Sequence, residues 1–429
     1  MPKKKEVAES AGTEARLSIR DKRVYIRGDE RAGLLYDWKE IRKVLNKLGI
    51  PKEFYNPATA PLDVAKWFVE MSERAVGKTT GWLLLGMVMY WLYGTVTCYV
   101  RPKKDMIAPS KAGSLFNVIN DCEYVSKLTG GAYRGIVYKT QRWYFCNYDE
   151  AGNITTTCPT YFCRMLSIDQ VGAYKSTVNE PYGDLILLDE FIPVAGRCTP
   201  QSEFVNFCDL ISTVFRLREG GKIVLLANTI NKYNQYFSDL EIFEQVATMQ
   251  ISENMTYTTD GGTKIYIEMI GAPRKYRTKK ESWVRLFMGF RKPELSAITG
   301  TATWAVKNYQ HIPDETDTGT DEPPIPLFNK VYIRHSNKLC QLEWVRHPTL
   351  GVIVYAHWAT RTYDDSVILS IEDVYDKRQL YGTAPNTNIG KRIDQMIRMK
   401  KIYFSGNDVG SFVENYYGIC GYSSLRNYW

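Results

Sequence analysis

Paired zinc ligands, a disulfide framework and a complete glycine loop are all missing from this 429-residue chain. Its nine cysteines are scattered without a C-x-x-C pair and only four histidines accompany them, which excludes the usual zinc and disulfide scaffolds and fits a reducing compartment. No apolar core follows Pro2-Lys-Lys-Lys5, so no signal peptide is expected. Long apolar runs are also scarce. The one candidate span, Trp82 to Val100, changes at Gly94-Thr-Val-Thr-Cys-Tyr-Val100 to β-branched and alternating residues. It therefore predicts a helix over about 79–93 and a buried strand over about 95–100, with no membrane partner. Charge of one sign is not dominant either. The net +8 arises from 55 basic and 47 acidic residues, so the excess points to an anionic partner only where it is clustered.

One such cluster is Arg274, Lys275, Arg277, Lys279, Lys280, Arg285, Arg291 and Lys292, interleaved with Tyr276, Trp283, Phe287 and Phe290. It reads equally as a contact for a phosphate backbone and as the solvated basic face of a hairpin.

The stretch Met71-Ser-Glu-Arg-Ala-Val-Gly-Lys-Thr-Thr80 joins a short apolar run to a long one. A loop that leaves a strand and opens a helix aims successive N–H groups at one point, where Lys78 adds a charge and Thr79 a hydroxyl for Mg²⁺. Ser72 stands where the first glycine of G-x-x-x-x-G-K-[ST] belongs, so the match is incomplete. Residues 183–191, Gly-Asp-Leu-Ile-Leu-Leu-Asp-Glu-Phe, add a buried strand ending in two carboxylates. Asp189 suits a metal and Glu190 an attacking water, against the plainer reading of an acidic turn. Thr199-Pro200 predicts a helix start, with Phe204, Phe207, Cys208, Ile211, Val214 and Phe215 as its core stripe. Arg216 and Arg218 in its last turn either complement the helix dipole or reach a nucleotide on a neighbouring subunit. Lys222-Ile-Val-Leu-Leu-Ala-Asn228 is a further buried strand, whose Asn228 reads as a phosphate sensor or a turn former.

Before the cradle, Leu34, Leu35, Trp38, Ile41, Leu45 and Leu48 recur at helical spacing, followed by a turn at Phe54-Tyr-Asn-Pro57. Arg142 to Phe145 and Tyr161 to Met165 read as short strands. A linker is expected over 296–328. Beyond it, strands are expected over 338–345, 351–357 and 366–371, then a basic amphipathic helix containing Ile389, Ile393, Met396 and Ile397.

In this order, Phe54-Tyr-Asn-Pro57, Arg74-Ala-Val-Gly-Lys78, Tyr99-Val-Arg101, Lys175-Ser176 and Asp189-Glu-Phe-Ile192 resemble a known family, as do Thr213-Val-Phe-Arg216, Asn228, Asn234 with Tyr236-Phe237, and Thr349-Leu-Gly-Val352. That family is the DNA encapsidation ATPases of small short-tailed, protein-primed phages, motors related to large terminases. The similarity runs from about Phe54 to Tyr417. It implies an α/β fold: a RecA-like, additional-strand P-loop ATPase domain over 51–295 and a smaller α+β, RNase H-like domain without nuclease activity over 329–429. Residues 1–50 would be an extension. It also implies ATP and Mg²⁺ as cofactors. Ser72, Glu73, Arg74, Ala75, Val76, Gly77, Lys78, Thr79 and Thr80 would surround the nucleotide, with Tyr55 on the adenine. Thr79 and Asp189 would hold the metal, Glu190 would be the catalytic carboxylate, Arg216 a finger acting in trans and Asn228 the coupling residue. Ser72 and Ala75 both replace glycines of the family loop.

The implied partners are double-stranded DNA, a viral portal on a procapsid, other copies of the chain in a ring (a pentamer by resemblance), and optionally a packaging RNA. The setting would be the host cytoplasm during virion assembly, outside the mature virion. Arg101, Lys175, Arg274, Lys275, Arg277, Lys279 and Lys280 are the candidate DNA contacts. Two rival readings are a terminase-type motor with an active metal-dependent nuclease and a nucleic-acid-binding scaffold with a weak ATP site. Glu343, Asp364, Asp365, Glu372 and Asp373 are available to the first but not gathered by spacing. The lost glycines favour the second, and intact Lys78, Asp189 and Glu190 oppose it.

Overall fold

The structure, a computed structural model, describes residues 36–72, 76–107, 112–175, 183–192, 201–216, 218–228, 234–271, 282–283, 286, 309–312, 325–336, 338–371, 376–381 and 387–420. These form two compact units. The first contains β1 (Trp67–Ser72), β2 (Thr97–Arg101), β3 (Gly135–Lys139), β4 (Arg142–Tyr148), β5 (Ile154–Thr157), β6 (Cys163–Ser167), β7 (Leu185–Asp189), β8 (Lys222–Asn228), β9 (Asn254–Thr258) and β10 (Lys264–Ile270). They make one sheet in the order β3-β4-β6-β2-β7-β8-β1-β10-β9, with β5 beside β4. The six strands from β6 to β10 in that order are mutually parallel, and the flanking strands are antiparallel.

Parallel strands need cover on both faces, and the sequence supplies it through continuous apolar runs such as Leu185–Leu188 and Ile223–Ala227, all of them buried. On one face the helix Lys78–Tyr93 packs through Trp82 onto Phe68, with ring centroids 5.1 Å apart. On the other, the helix Gln201–Phe215 brings Phe204 and Phe207 to Trp67. Phe68 and Trp67 alternate across the strand, so one dipeptide anchors both layers.

Lys78–Tyr93 is apolar all round because it is buried all round, and it ends at Gly94, whose φ of 71° suits the left-handed stop that glycine takes without strain. The membrane-length run thus resolves into helix and β2, as expected. Among the described residues no helix is long and apolar enough to cross a membrane. The first predicted helix is present as Trp38–Lys47, capped by Asp37, whose carboxylate accepts from the amides of Lys39 and Glu40. Thr199 and Pro200 lie outside the described residues.

The second unit contains β11 (Ile325–His335), β12 (Lys338–His347), β13 (Gly351–Trp358), β14 (Val367–Ser370), β15 (Gln379–Tyr381) and β16 (Ile402–Phe404). Their order is β15-β14-β11-β12-β13-β16: a three-stranded antiparallel meander extended by parallel strands on both sides, with helices Asn388–Arg398 and Asn407–Ile419. This is the α+β arrangement expected of the smaller domain. Two placements differ from the sequence reading. β11 begins inside the stretch read as linker, because Ile325-Pro-Leu-Phe328 is exposed and lacks the alternation of a half-buried strand. Tyr309 in the same stretch is buried against Phe404, and its amide donates to Asn407 Oδ1 at 2.9 Å. Residues 234–248 also cluster with this second unit rather than with the first.

His335 is fully buried in the second unit, beside Ser336 Oγ at 3.0 Å and Asn415 Nδ2 at 3.3 Å, and burial pushes its pKa down to about 4. The unfolded imidazole takes up its proton near pH 6.5, whereas the folded one stays neutral until about 4. Its contribution is therefore intact above pH 6.5 and is lost as the pH falls through that window. The expected loss by pH 4 is about 3 kcal/mol. Urea unfolding at pH 7 and pH 4.5 should show it, and His335→Gln should flatten the dependence.

Candidate functional site

The carboxyl ends of β1, β7 and β8 meet at one edge of the first sheet. Register sets Ser72 opposite Asn228 and Asp189 opposite Leu226, so residues from three distant parts of the chain become neighbours. In open α/β sheets this edge is where ligands collect. The loop after β1 returns to a helix at Gly77, whose φ of 82° lies in the left-handed region that glycine adopts freely. Lys78 follows as the first helical residue and is 7% exposed. Its ammonium donates to Ser72 Oγ and to Asn228 Oδ1, both at 3.0 Å. The serine that breaks the glycine template is thus an acceptor for the buried lysine. Val76 is buried and Thr80 half-buried, while Glu73, Arg74 and Ala75 lie outside the described residues.

Thr79 Oγ1 donates to Asp189 Oδ2 at 3.3 Å, and the same carboxylate oxygen accepts from Tyr99 Oη at 2.7 Å. Burial first, and the Asp189 charge second, push the Tyr99 phenol well up, so it remains a donor. Strand β7 stops at Asp189, and Glu190 turns into the left-handed region with φ 61°. Its amide is held there by the carbonyl of Leu226 at 2.8 Å. A non-glycine residue is thus kept in a sparsely populated conformation by the neighbouring strand.

Alternation would have sent Asp189 and Glu190 to opposite faces; the turn instead lets one guanidinium reach both. Arg101, at the end of β2, lies 3.3 Å from Asp189 Oδ2 and bonds Glu190 Oε2 directly. Named among the candidate DNA contacts, Arg101 is here paired within its own sheet. The Arg101 side chain is only 14% exposed and its charge is taken up by the two carboxylates. A pocket of about 350 Å³ opens beside it, lined by Tyr99, Arg101, Met106, Ala112, Leu115, Met165 and Glu190.

Tyr55 also lies elsewhere than on an open base-stacking surface. It is 7% exposed, and its hydroxyl donates to Glu70 and, at 3.2 Å, to Glu268. Its neighbour Phe54 is the exposed aromatic there, packed against Gly77. Glu70 went unnoticed in the sequence because an acid inside an apolar run reads as a strand's solvent face. Here that face is covered by the Lys78–Tyr93 helix.

Arg216 and Arg218 sit at the opposite edge of the sheet. Arg218 Nε donates to Asp184 Oδ1 at 2.8 Å, just before β7 begins, and Tyr36 Oη donates to the other oxygen at 2.6 Å. The five residues of β7 that separate this edge from Asp189 span about 16 Å. Arg218 is therefore a tie within its own sheet. Arg216 is exposed at the helix end, with φ 46°. Lys175 is exposed and paired with Asp209 at 2.8 Å. The cluster from Arg274 to Lys280 lies outside the described residues.

No protein-family model matches the chain, and no curated protein matches it. Among solved structures it is similar to the Phi-28 gp11 DNA packaging motor, at 14% identity and a TM-score of 0.52, over 86% of this chain and 98% of that one. It is also similar to the bacteriophage Phi-29 viral genome packaging motor assembly, at 16% identity and a TM-score of 0.50, over 86% of this chain and 100% of that one. At such identities the likeness is one of fold: a RecA-like α/β sheet with a second α+β unit.

Because Lys78 is buried, each acceptor of its charge carries weight. Asn228→Ala should lower unfolding stability by about 1–3 kcal/mol, and adding Lys78→Met should recover most of that loss. A urea double-mutant cycle checks the coupling.

Proposed function

We propose that this chain is an ATP-driven motor that moves double-stranded viral DNA into a preformed procapsid. The observation that carries the reading is the convergence of Lys78, Thr79, Asp189, Glu190 and Asn228 at one sheet edge. Two solved structures with this fold are packaging motors, which supports the assignment of work to the site.

The cradle N–H groups and Lys78 bind the nucleotide phosphates, with the rest of the loop from Ser72 to Thr80 around them. Thr79 and Asp189 present a hydroxyl and a carboxylate to each other, a hard oxygen pair of the kind Mg²⁺ takes together with phosphate and water. Bound there, the ion would offset phosphate charge. Glu190 orients and polarises the attacking water. In the described state its carboxylate is occupied by Arg101, so it must exchange that partner for water before it can act. Asn228, already bonded to Lys78, is placed to sense the phosphate that Lys78 would bind.

Arg216 acts in trans. Its place at the edge opposite the cradle supports a ring in which each subunit completes its neighbour's site, a pentamer by resemblance, seated on a portal and optionally on a packaging RNA. Assembly takes place in the host cytoplasm, and the motor leaves before the virion is mature. DNA is gripped through its phosphates, with Lys175 and Arg274, Lys275, Arg277, Lys279 and Lys280 as the candidate contacts. The second unit is not a nuclease. Its adjoining parallel strands β11 and β14 contain no acidic residue, and Asp365 is paired with Lys330. Plasmid nicking with Mn²⁺ should be absent.

ATP hydrolysis should rise more than linearly with protein concentration, and double-stranded DNA should stimulate it less as salt increases. Glu190→Gln should cut the rate by about 10²–10⁴-fold. Arg216→Ala subunits mixed with Glu190→Gln subunits should regain part of the activity. A Glu190→Gln protein as active as the parent would overturn the reading.

A further inference from the structure

Glu70 lies in the middle of β1 and is fully buried. Its Oε1 accepts from Tyr55 Oη and its Oε2 from Trp82 Nε1 at 2.6 Å. Across the β1–β10 register it faces Glu268, which accepts from Tyr55 Oη at 3.2 Å and Tyr266 Oη at 3.1 Å. Two neighbouring carboxyls in a buried site cannot both ionise cheaply. Burial first, and each other's charge second, hold Glu70 well above the usual carboxylate range, while burial raises Glu268. Lys78 is the cation nearest in influence to Glu70.

The two donors on Glu70 come from opposite sides of the loop. Trp82 stands in the first turns of the helix that follows the loop. Tyr55 belongs to a separate segment packed outside it. The Tyr55 amide donates to the carbonyl of Val76 at 2.8 Å, inside the loop itself, and its own carbonyl lies where a Cβ on Gly81 would come within 2.7 Å. The Tyr55 segment therefore braces both the loop and the helix start. We propose that Glu70 is the positioning residue of the phosphate cradle. It ties the strand before the loop to the Tyr55 brace on Val76 and to the helix after it, which fixes the end of the loop that leads into Lys78. Glu70 touches no ligand; it acts through Tyr55, Trp82 and the loop they fix.

This rests on the nucleotide reading of the site, and one titration separates the two. MgADP binding by the full chain is measured calorimetrically for the parent, Lys78→Ala, Glu70→Leu, Glu70→Gln and Tyr55→Phe. Glu70→Leu strands the buried Trp82 donor, leaves Tyr55 Oη only its longer bond to Glu268, and should weaken binding at least tenfold, with the far-ultraviolet circular dichroism of the parent. Glu70→Gln should remain within about threefold. Its carbonyl still accepts from Trp82 and its amide donates to Tyr55 Oη, which keeps Glu268 as acceptor. Tyr55→Phe, which retains the ring and is the milder change, should weaken binding severalfold and stands in if Glu70→Leu does not fold. Parent-like binding by Glu70→Leu or Tyr55→Phe would overturn the proposal while leaving the nucleotide site intact. Absence of binding by the parent, or unchanged binding by Lys78→Ala, would overturn the nucleotide reading and the proposal together.

Discussion

A single buried charge organises the first unit. The Lys78 ammonium sits 7% exposed at the start of a helix, where the dipole offers it no favour, so its stability depends on acceptors brought from elsewhere. Ser72 and Asn228 supply them, and Asn228 is there only because β8 lies beside β1 in the sheet order. Inserting β8 between β1 and β7 also sets the spacing between the lysine and the carboxylates at the end of β7. The same register brings Leu226 to the amide of Glu190 and holds it in the left-handed turn. Strand order, lysine satisfaction and carboxylate geometry are thus one constraint seen three ways.

The opposite edge has a complementary logic. Asp184 is buried and satisfied by Arg218 and Tyr36, which close the amino-terminal end of β7 against the end of the Gln201–Phe215 helix. With Arg218 committed, Arg216 is the arginine that this helix end presents to solvent. The buried lysine at one edge of the sheet and the exposed arginine at the other give the first unit a polarity along its strands.

Much of this was legible in the residues. The parallel core strands read as continuous apolar runs, Lys222–Asn228 to the residue, because a strand covered on both faces needs no alternation. The place of Asp189 and Glu190 at the end of a buried strand was legible in the same way, and so was the helix that opens at Lys78. What escaped is equally specific. Glu70 and Glu268 look like solvent-facing acids until the strands are laid side by side. The carboxylate partners of Arg101 lie 88 and 89 residues away, beyond the reach of any local pattern. Tyr55 was read for its ring when the fold uses its hydroxyl and its amide. β11 was missed at its start because no local period marks an exposed strand end.

The sequence by itself therefore determined the elements, the cradle and the identities of the charged groups at strand ends, since these depend on local periodicity and on short-range backbone chemistry. Which charges meet was decided only by the tertiary structure. Whether Arg101 serves DNA or two carboxylates, whether Ser72 is a defect or an acceptor, and whether Glu70 faces water or a tryptophan all depend on sheet order and register, and those are set by the packing of whole faces against one another rather than by any residue's neighbours in the chain.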